Sequence, residues 1–300
     1  MAPIVPAGSV VFGIQLPVQA QSKYFVEPWE LTAGPAEIAA VAQAADRSGF
    51  FYVAVCDHVV IPDDLAPRMS AVWWDTVATL SWLAGLTTQT RLLSSVFNLS
   101  YRHPLVTAKS FATLDVISGG RAILGVGAGH VEKEFAALDV DFASRGRLTD
   151  EALRVLDVVL TEGSFDGMQL APRGVQTPRL PFWVGGSAPA AVRRAARLAD
   201  GWLPQGTPLD QMPALVDLYR SERGDQTGDI GAITEWLYVG APSWDVQRPC
   251  VSGSAEEIAD SLRAWGKIGV NHLQVRFPSR DANELVAQVE AFGSEVGPLL

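Results

Sequence analysis

The chain has two cysteines, Cys56 and Cys250, and neither lies in a CxxC or in a metal-like cluster. No disulfide framework and no metal site is expected from them. Cys56 sits inside an apolar run and reads as a small core residue. Positive charge is also short: 23 Lys and Arg against 33 Asp and Glu give a formal net charge of −10. With no basic cluster, the chain is a poor match to nucleic acid or to an anionic membrane surface. No stretch reaches the ~18 consecutive apolar residues of a membrane span. The opening MAPIVPAGSV lacks a charged n-region ahead of a long apolar stretch, so no signal peptide is expected and a cytoplasmic location is.

What is present is apolar bulk in alternating blocks. Nearly half of the 300 residues are hydrophobic, enough for a large core. Apolar runs at 9–17, 50–56, 91–99, 121–127, 180–186, 201–204, 232–240 and 270–278 read as strands. Between and after them, 34–49, 72–86, 103–120, 148–160, 187–200, 208–223, 254–269 and 281–296 read as helices. Pro35 suits a first helical turn, and Ser254 with Glu257 has the spacing of a capping box. FFYVAVC is apolar throughout, as a strand covered on both faces should be. Residues 128–146 read as a loop with a short helical piece, and 163–180 as an insertion. Eight strand–helix units in strict alternation predict an α/β fold, a single (β/α)8 TIM barrel over 1–300. A doubly wound sheet is the runner-up.

The stretch RAILGVGAGH (121–130) places glycines at 125, 127 and 129 behind an apolar run. A dinucleotide fingerprint needs GxGxxG on the first strand, ahead of a long helix. Here the spacing is GxGxG, the strand is the fourth, and HVEKEF follows. On a barrel, Gly127 and Gly129 fall instead at the C-terminal mouth, where active sites form and where glycine would let a flat ligand approach. Other strand ends carry polar groups to the same mouth: Asp57 and His58 after strand two, and Ser95 and Asn98 in strand three. Gly185, Gly186 and Ser187 follow strand five, directly ahead of a helix. Unpaired N–H groups at such a helix start favour phosphate, although a plain Ser N-cap would look the same. The combination points to a planar, phosphate-bearing ligand.

Three stretches carry a family resemblance: YRHPLVTAKSFATLDVISGGRAILGVGAG, EFAALDVDFASRGRLTDEALRVL and LPFWVGGSAPAAVRRAARLADGWLP. Together they resemble the bacterial luciferase-like monooxygenase superfamily, and VAVCDHVVIPDD resembles its branch that uses coenzyme F420, an 8-hydroxy-5-deazaflavin. The resemblance implies a luciferase-like barrel with a late insertion and the coenzyme ring in its mouth. It puts the phosphate tail at Gly185, Gly186 and Ser187, and a non-prolyl cis peptide at Ser95–Val96. It puts Ala128 and Gly129 in the strand-four loop, with Glu132 and Glu134 following; the position of Ala128 is often Thr in related deazaflavin enzymes. It implies a hydride-transferring oxidoreductase with His58 as proton donor or acceptor. Asp57 would contact the ring or orient His58. Gln15, Asn98 and Trp73 or Trp74 would line a small organic substrate, although large aromatics such as these tryptophans more often bury in a core or interface. An FMN-dependent monooxygenase served by a separate reductase is the alternative on the same resemblance. A non-catalytic flavin carrier, and a barrel enzyme with a phosphorylated substrate and no redox cofactor, are the others. The resemblance favours a homodimer.

Overall fold

The computed structural model describes residues 3–23 and 25–300. Among them, eight parallel strands close on themselves: β1 (Val11–Gln15), β2 (Tyr52–Val55), β3 (Arg91–Ser94), β4 (Ala122–Gly127), β5 (Phe182–Gly185), β6 (Gly201–Leu203), β7 (Asp229–Val239) and β8 (His272–Arg276). Closure is made by β8 pairing with β1, Val11 opposite His272, and by β7 pairing with both β6 and β8. An open, doubly wound sheet would leave two edge strands; the closed ring has neither. The outer layer is α1 (Pro35–Arg47), α2 (Thr76–Ala84), α3 (Pro104–Ser118), α4 (Arg145–Glu162), α5 (Pro189–Leu198), α6 (Met212–Arg223), α7 (Ala255–Lys267) and α8 (Ala282–Ala291). None of the helices is long and apolar enough to cross a membrane, among the described residues.

Strand alternation explains the apolar runs. In β2, Val53 and Val55 face the helices, while Tyr52 and Ala54 face the barrel axis. Both faces are buried, so the run has no polar phase. Three large rings fill the axis. Trp183 stacks on His272 at 4.0 Å, and Tyr52 meets both edge-on. Their bulk is accommodated by glycines on neighbouring strands. A methyl group on Gly13 would fall inside the Tyr52 ring, and one on Gly231 inside His272. At the N-terminal end of the barrel, Val5 joins this axial cluster. The Asp229 carboxylate holds it there, accepting from the N–H groups of Ile4 (2.9 Å) and Val5 (3.3 Å).

Helix starts follow local chemistry. Ser254 caps α7 and Glu257 returns the bond to the Ser254 N–H at 2.8 Å, as the spacing predicted. Asp75 caps α2, so that helix begins four residues later than the expected 72. The 91–99 strand is two pieces. β3 ends at Ser94, the Ser95–Val96 peptide is cis, and Phe97–Asn98 resumes as a short strand paired with the end of β4. In 163–180 a hairpin joins Ser164–Phe165 to Met168–Gln169, and the Asp115 carboxylate pins the return by accepting from Val175 and Gln176 N–H.

Candidate active site

A cavity of about 600 Å³ opens at the C-terminal mouth of the barrel. That is ample for a flat cofactor plus a small molecule. Most of the residues singled out from the sequence meet there: Gln15, Asp57, His58, Ser95, Val96 and Asn98 from the first three strand ends. Ala128, Gly129, Gly185, Gly186 and Ser187 come from the fourth and fifth. Two do not. Glu132 is exposed on the first turn of the short helix Glu132–Ala137, pointing away. Trp74 packs against the outer core, while its neighbour Trp73 lines the cavity. The segment is extended there, Trp73 bridging to Ala20, so successive side chains face opposite ways.

His58 is the centre of a buried network. Its Nδ1 lies 2.8 Å from Glu134 Oε2, which also accepts from the Tyr101 hydroxyl at 2.8 Å. Glu134 Oε1 accepts from the N–H groups of Val59 (2.6 Å) and Val60 (3.2 Å). Burial alone would raise the Glu134 carboxyl. The hydrogen bonds from His58, Val59 and Tyr101 outweigh it and hold the group below its ordinary range. Burial, then the Glu134 contact, push the Tyr101 phenol up. With Glu134 ionised and accepting, the proton of neutral His58 resides on Nδ1, which leaves Nε2 as the free nitrogen. Trp73 meets the imidazole edge-on at 4.5 Å and His130 at 5.5 Å. Burial, then His58, lower His130 from its ordinary value.

Asp57 does not orient His58; Glu134 does. The Asp57 carboxylate is engaged elsewhere, by both Arg102 Nη atoms at 2.8 Å and by the Asn98 N–H at 2.9 Å. Asn98 Nδ2 donates to the Asp57 carbonyl at 3.1 Å. This set locks the ends of β2 and β3 together. Burial pushes the Cys56 thiol beside it up to about 11.

The glycines serve packing before any ligand. Val96 Cγ atoms fill the space that a Cβ on Gly127 or on Gly185 would need. Gly129, at φ +79°, takes the Phe135 ring against its open face. The strand-four and strand-five loops therefore converge on Val96, which stands as a ledge in the cavity. Beside it, Ser95 Oγ is buried with no hydrogen-bond partner among the described residues. Ser187 is not the cap of α5. Its hydroxyl bonds Thr207 Oγ1 at 2.5 Å, and the N-cap position is Ala188, with no side-chain cap. Pro189 has no N–H and the Ala191 N–H donates to the Ala188 carbonyl at 2.8 Å, so at the start of α5 the Ala190 N–H is the first-turn donor without an acceptor among the described residues.

Residues of the site not singled out from the sequence include Tyr101, Arg102, His130, Arg194 and Arg276. His130 stood inside the glycine motif, and Arg276 ends the last barrel strand, where side chains reach the mouth. Those two positions were a usable signal. Arg102 gave none, since its role depends on Asp57, far away in sequence.

A model of the family described as luciferase-like monooxygenase matches residues 12–239. An uncharacterised protein of Mycobacterium bovis is 30% identical over 206 residues, covering 61% of this chain and 71% of its own. Among solved structures, the coenzyme F420-dependent tetrahydromethanopterin reductase of Methanopyrus kandleri superposes with TM-score 0.74 at 20% identity, over 97% of this chain and 99% of its own. The oxygenating constituent of 3,6-diketocamphane monooxygenase of Pseudomonas putida, in complex with FMN, gives 0.77 at 13% identity over 97% and 99%.

Proposed function

The chain belongs to the luciferase-like monooxygenase family, and from that premise we propose that it is an F420-dependent oxidoreductase acting on a small organic substrate. The observation that carries the proposal is the buried Glu134–His58 pair at the edge of the cavity, which keeps one imidazole nitrogen free for a proton. The resemblance of VAVCDHVVIPDD to the deazaflavin branch supports the choice of coenzyme.

The cavity fits such a group. The partnerless Ser95 hydroxyl and the Val96 ledge offer a polar contact and a flat support. The uncapped start of α5 with Gly185, Gly186 and Ser187 offers a phosphate seat, and Arg194, paired with Asp150, lies at the cavity edge beside it. A bound deazaflavin would supply hydride chemistry. The chain supplies position and a proton. Glu134 fixes the imidazole orientation and stabilises the imidazolium formed when Nε2 takes a proton; in the opposite direction, Nε2 donates it. Arg102, through Asp57, holds the strand ends that carry His58 and Ser95. Homodimer formation belongs to the same proposal and is read by light scattering.

The test is a fluorescence titration of apoprotein with oxidised F420 and, separately, FMN. Micromolar or tighter F420 binding (about −8 kcal/mol) with FMN at least roughly tenfold weaker is expected. Preference for FMN moves the chain to the monooxygenase reading with a separate reductase. Binding of neither overturns both.

A further inference from the structure

We infer that the substrate carries a carboxylate, bound by the guanidinium of Arg276 on the β1–β8 side of the cavity. The inference rests on the coenzyme reading above for the opposite side.

Arg276 ends β8 and lines the cavity near Gln15, three strands round the barrel from β5 and its α5 start. Its guanidinium lies 4.9 Å from the Phe25 ring centre and 5.9 Å from that of Trp236, so two aromatic faces flank it. Burial, more than any neighbour, draws it down to about 10, which still leaves it charged at neutral pH. Yet it has no ion pair and no hydrogen bond among the described residues.

The other arginines of this end of the barrel are matched. Arg102 holds Asp57, Arg194 holds Asp150, and Arg248 holds Glu27 at 3.2 Å. Arg248 lies over the same Trp236 ring, 4.2 Å from its centre. Arg276 alone among these lacks an acid. The nearby acids are not free to serve it. Asp57 is taken on both oxygens by Arg102, and the Glu30 carboxylate accepts from Val18 and Glu27 N–H. A largely buried cation with no internal counter-charge is costly unless a ligand brings one. Five N–H donors in a planar fork match a carboxylate in two-point contact, and the flanking rings suit an apolar body behind it.

The test uses a matched probe pair, 2-naphthoate and its neutral carboxamide, titrated into the protein with and without F420. Wild type is expected to bind the carboxylate at least about tenfold tighter than the amide. Arg276→Gln should bring the two within about twofold, leaving amide and F420 affinities unchanged, and Arg276→Lys should keep part of the preference by charge alone. Equal binding of the two probes by wild type, including no binding of either, overturns the inference. So does a preference that survives Arg276→Gln. Loss of F420 affinity in Arg276→Gln by the same factor would put Arg276 on the coenzyme instead and overturn it too. If no coenzyme binds yet the carboxylate preference is present and lost in Arg276→Gln, the proposed function fails while the anion site stands.

Discussion

Replacing Glu134 by Gln changes one oxygen to an NH2 group at almost constant shape, and the surroundings show what that costs. The carboxylate accepts four hydrogen bonds, two on each oxygen. A glutamine whose oxygen keeps the Val59 and Val60 N–H groups must turn its NH2 toward Tyr101 and His58. The tyrosine hydroxyl can rotate to accept. His58 can accept on Nδ1 only by moving its proton to Nε2. Exchanging charge-assisted bonds for weaker neutral ones costs about 2–4 kcal/mol at neutral pH. Urea unfolding followed by circular dichroism reads this loss, and long-range nitrogen–proton spectra of labelled histidine read the tautomer. Wild type should show the Nδ1–H form and Glu134→Gln the Nε2–H form. The pH dependence has a definite sign. Glu134 titrates below its ordinary 4.5 in the fold. Its contribution is therefore full above about 4.5 and is lost as pH falls through the lower folded value. The variant should be flatter in that acid range. A variant within about 0.5 kcal/mol of wild type, with the same tautomer, would refute the network as described.

Two other perturbations test other parts. Gly185→Ala puts a methyl group inside the Val96 side chain; a stability loss of about 1–3 kcal/mol and weaker coenzyme binding are expected, and an unchanged urea midpoint would contradict the ledge. His272 is driven by burial from 6.5 down to about 3, so wild type should lose up to about 1.4 kcal/mol per pH unit from this group as pH falls below about 6.5. His272→Phe keeps an aromatic ring against Trp183 and should remove that part of the slope; parallel stability curves for the two proteins would sink the claim.

Much of the barrel was legible because its signal is local. Apolar runs such as FFYVAVC, a proline opening α1 and the Ser254–Glu257 box depend on residues a few positions apart. The mouth was legible in outline for the same reason: strand ends are found by finding strands. What was lost depends on pairs distant in sequence. Glu132 and Glu134 look alike on the page, and only the inward face of a one-and-a-half-turn helix selects Glu134. Trp73 and Trp74 differ only in the phase of a short extended segment. Arg102 matters because it folds onto Asp57. The glycine motif was placed at the mouth, but its open space is taken by Val96 and Phe135 rather than left wholly to a ligand, and Val96 is contributed by another strand.

Val5 and the three axial rings have a kinetic corollary. With Val5 held by Asp229 and Tyr52, Trp183 and His272 filling the axis, the described residues leave no passage along the barrel axis. Traffic into and out of the cavity passes by the C-terminal end of the barrel. Whatever rests deepest, against the Val96 ledge, must arrive first and leave last, and a molecule seated over it governs its release. If the chain binds a coenzyme and a substrate as proposed, two-substrate kinetics are expected to take an ordered form, with the outer ligand trapping the inner one as its concentration rises.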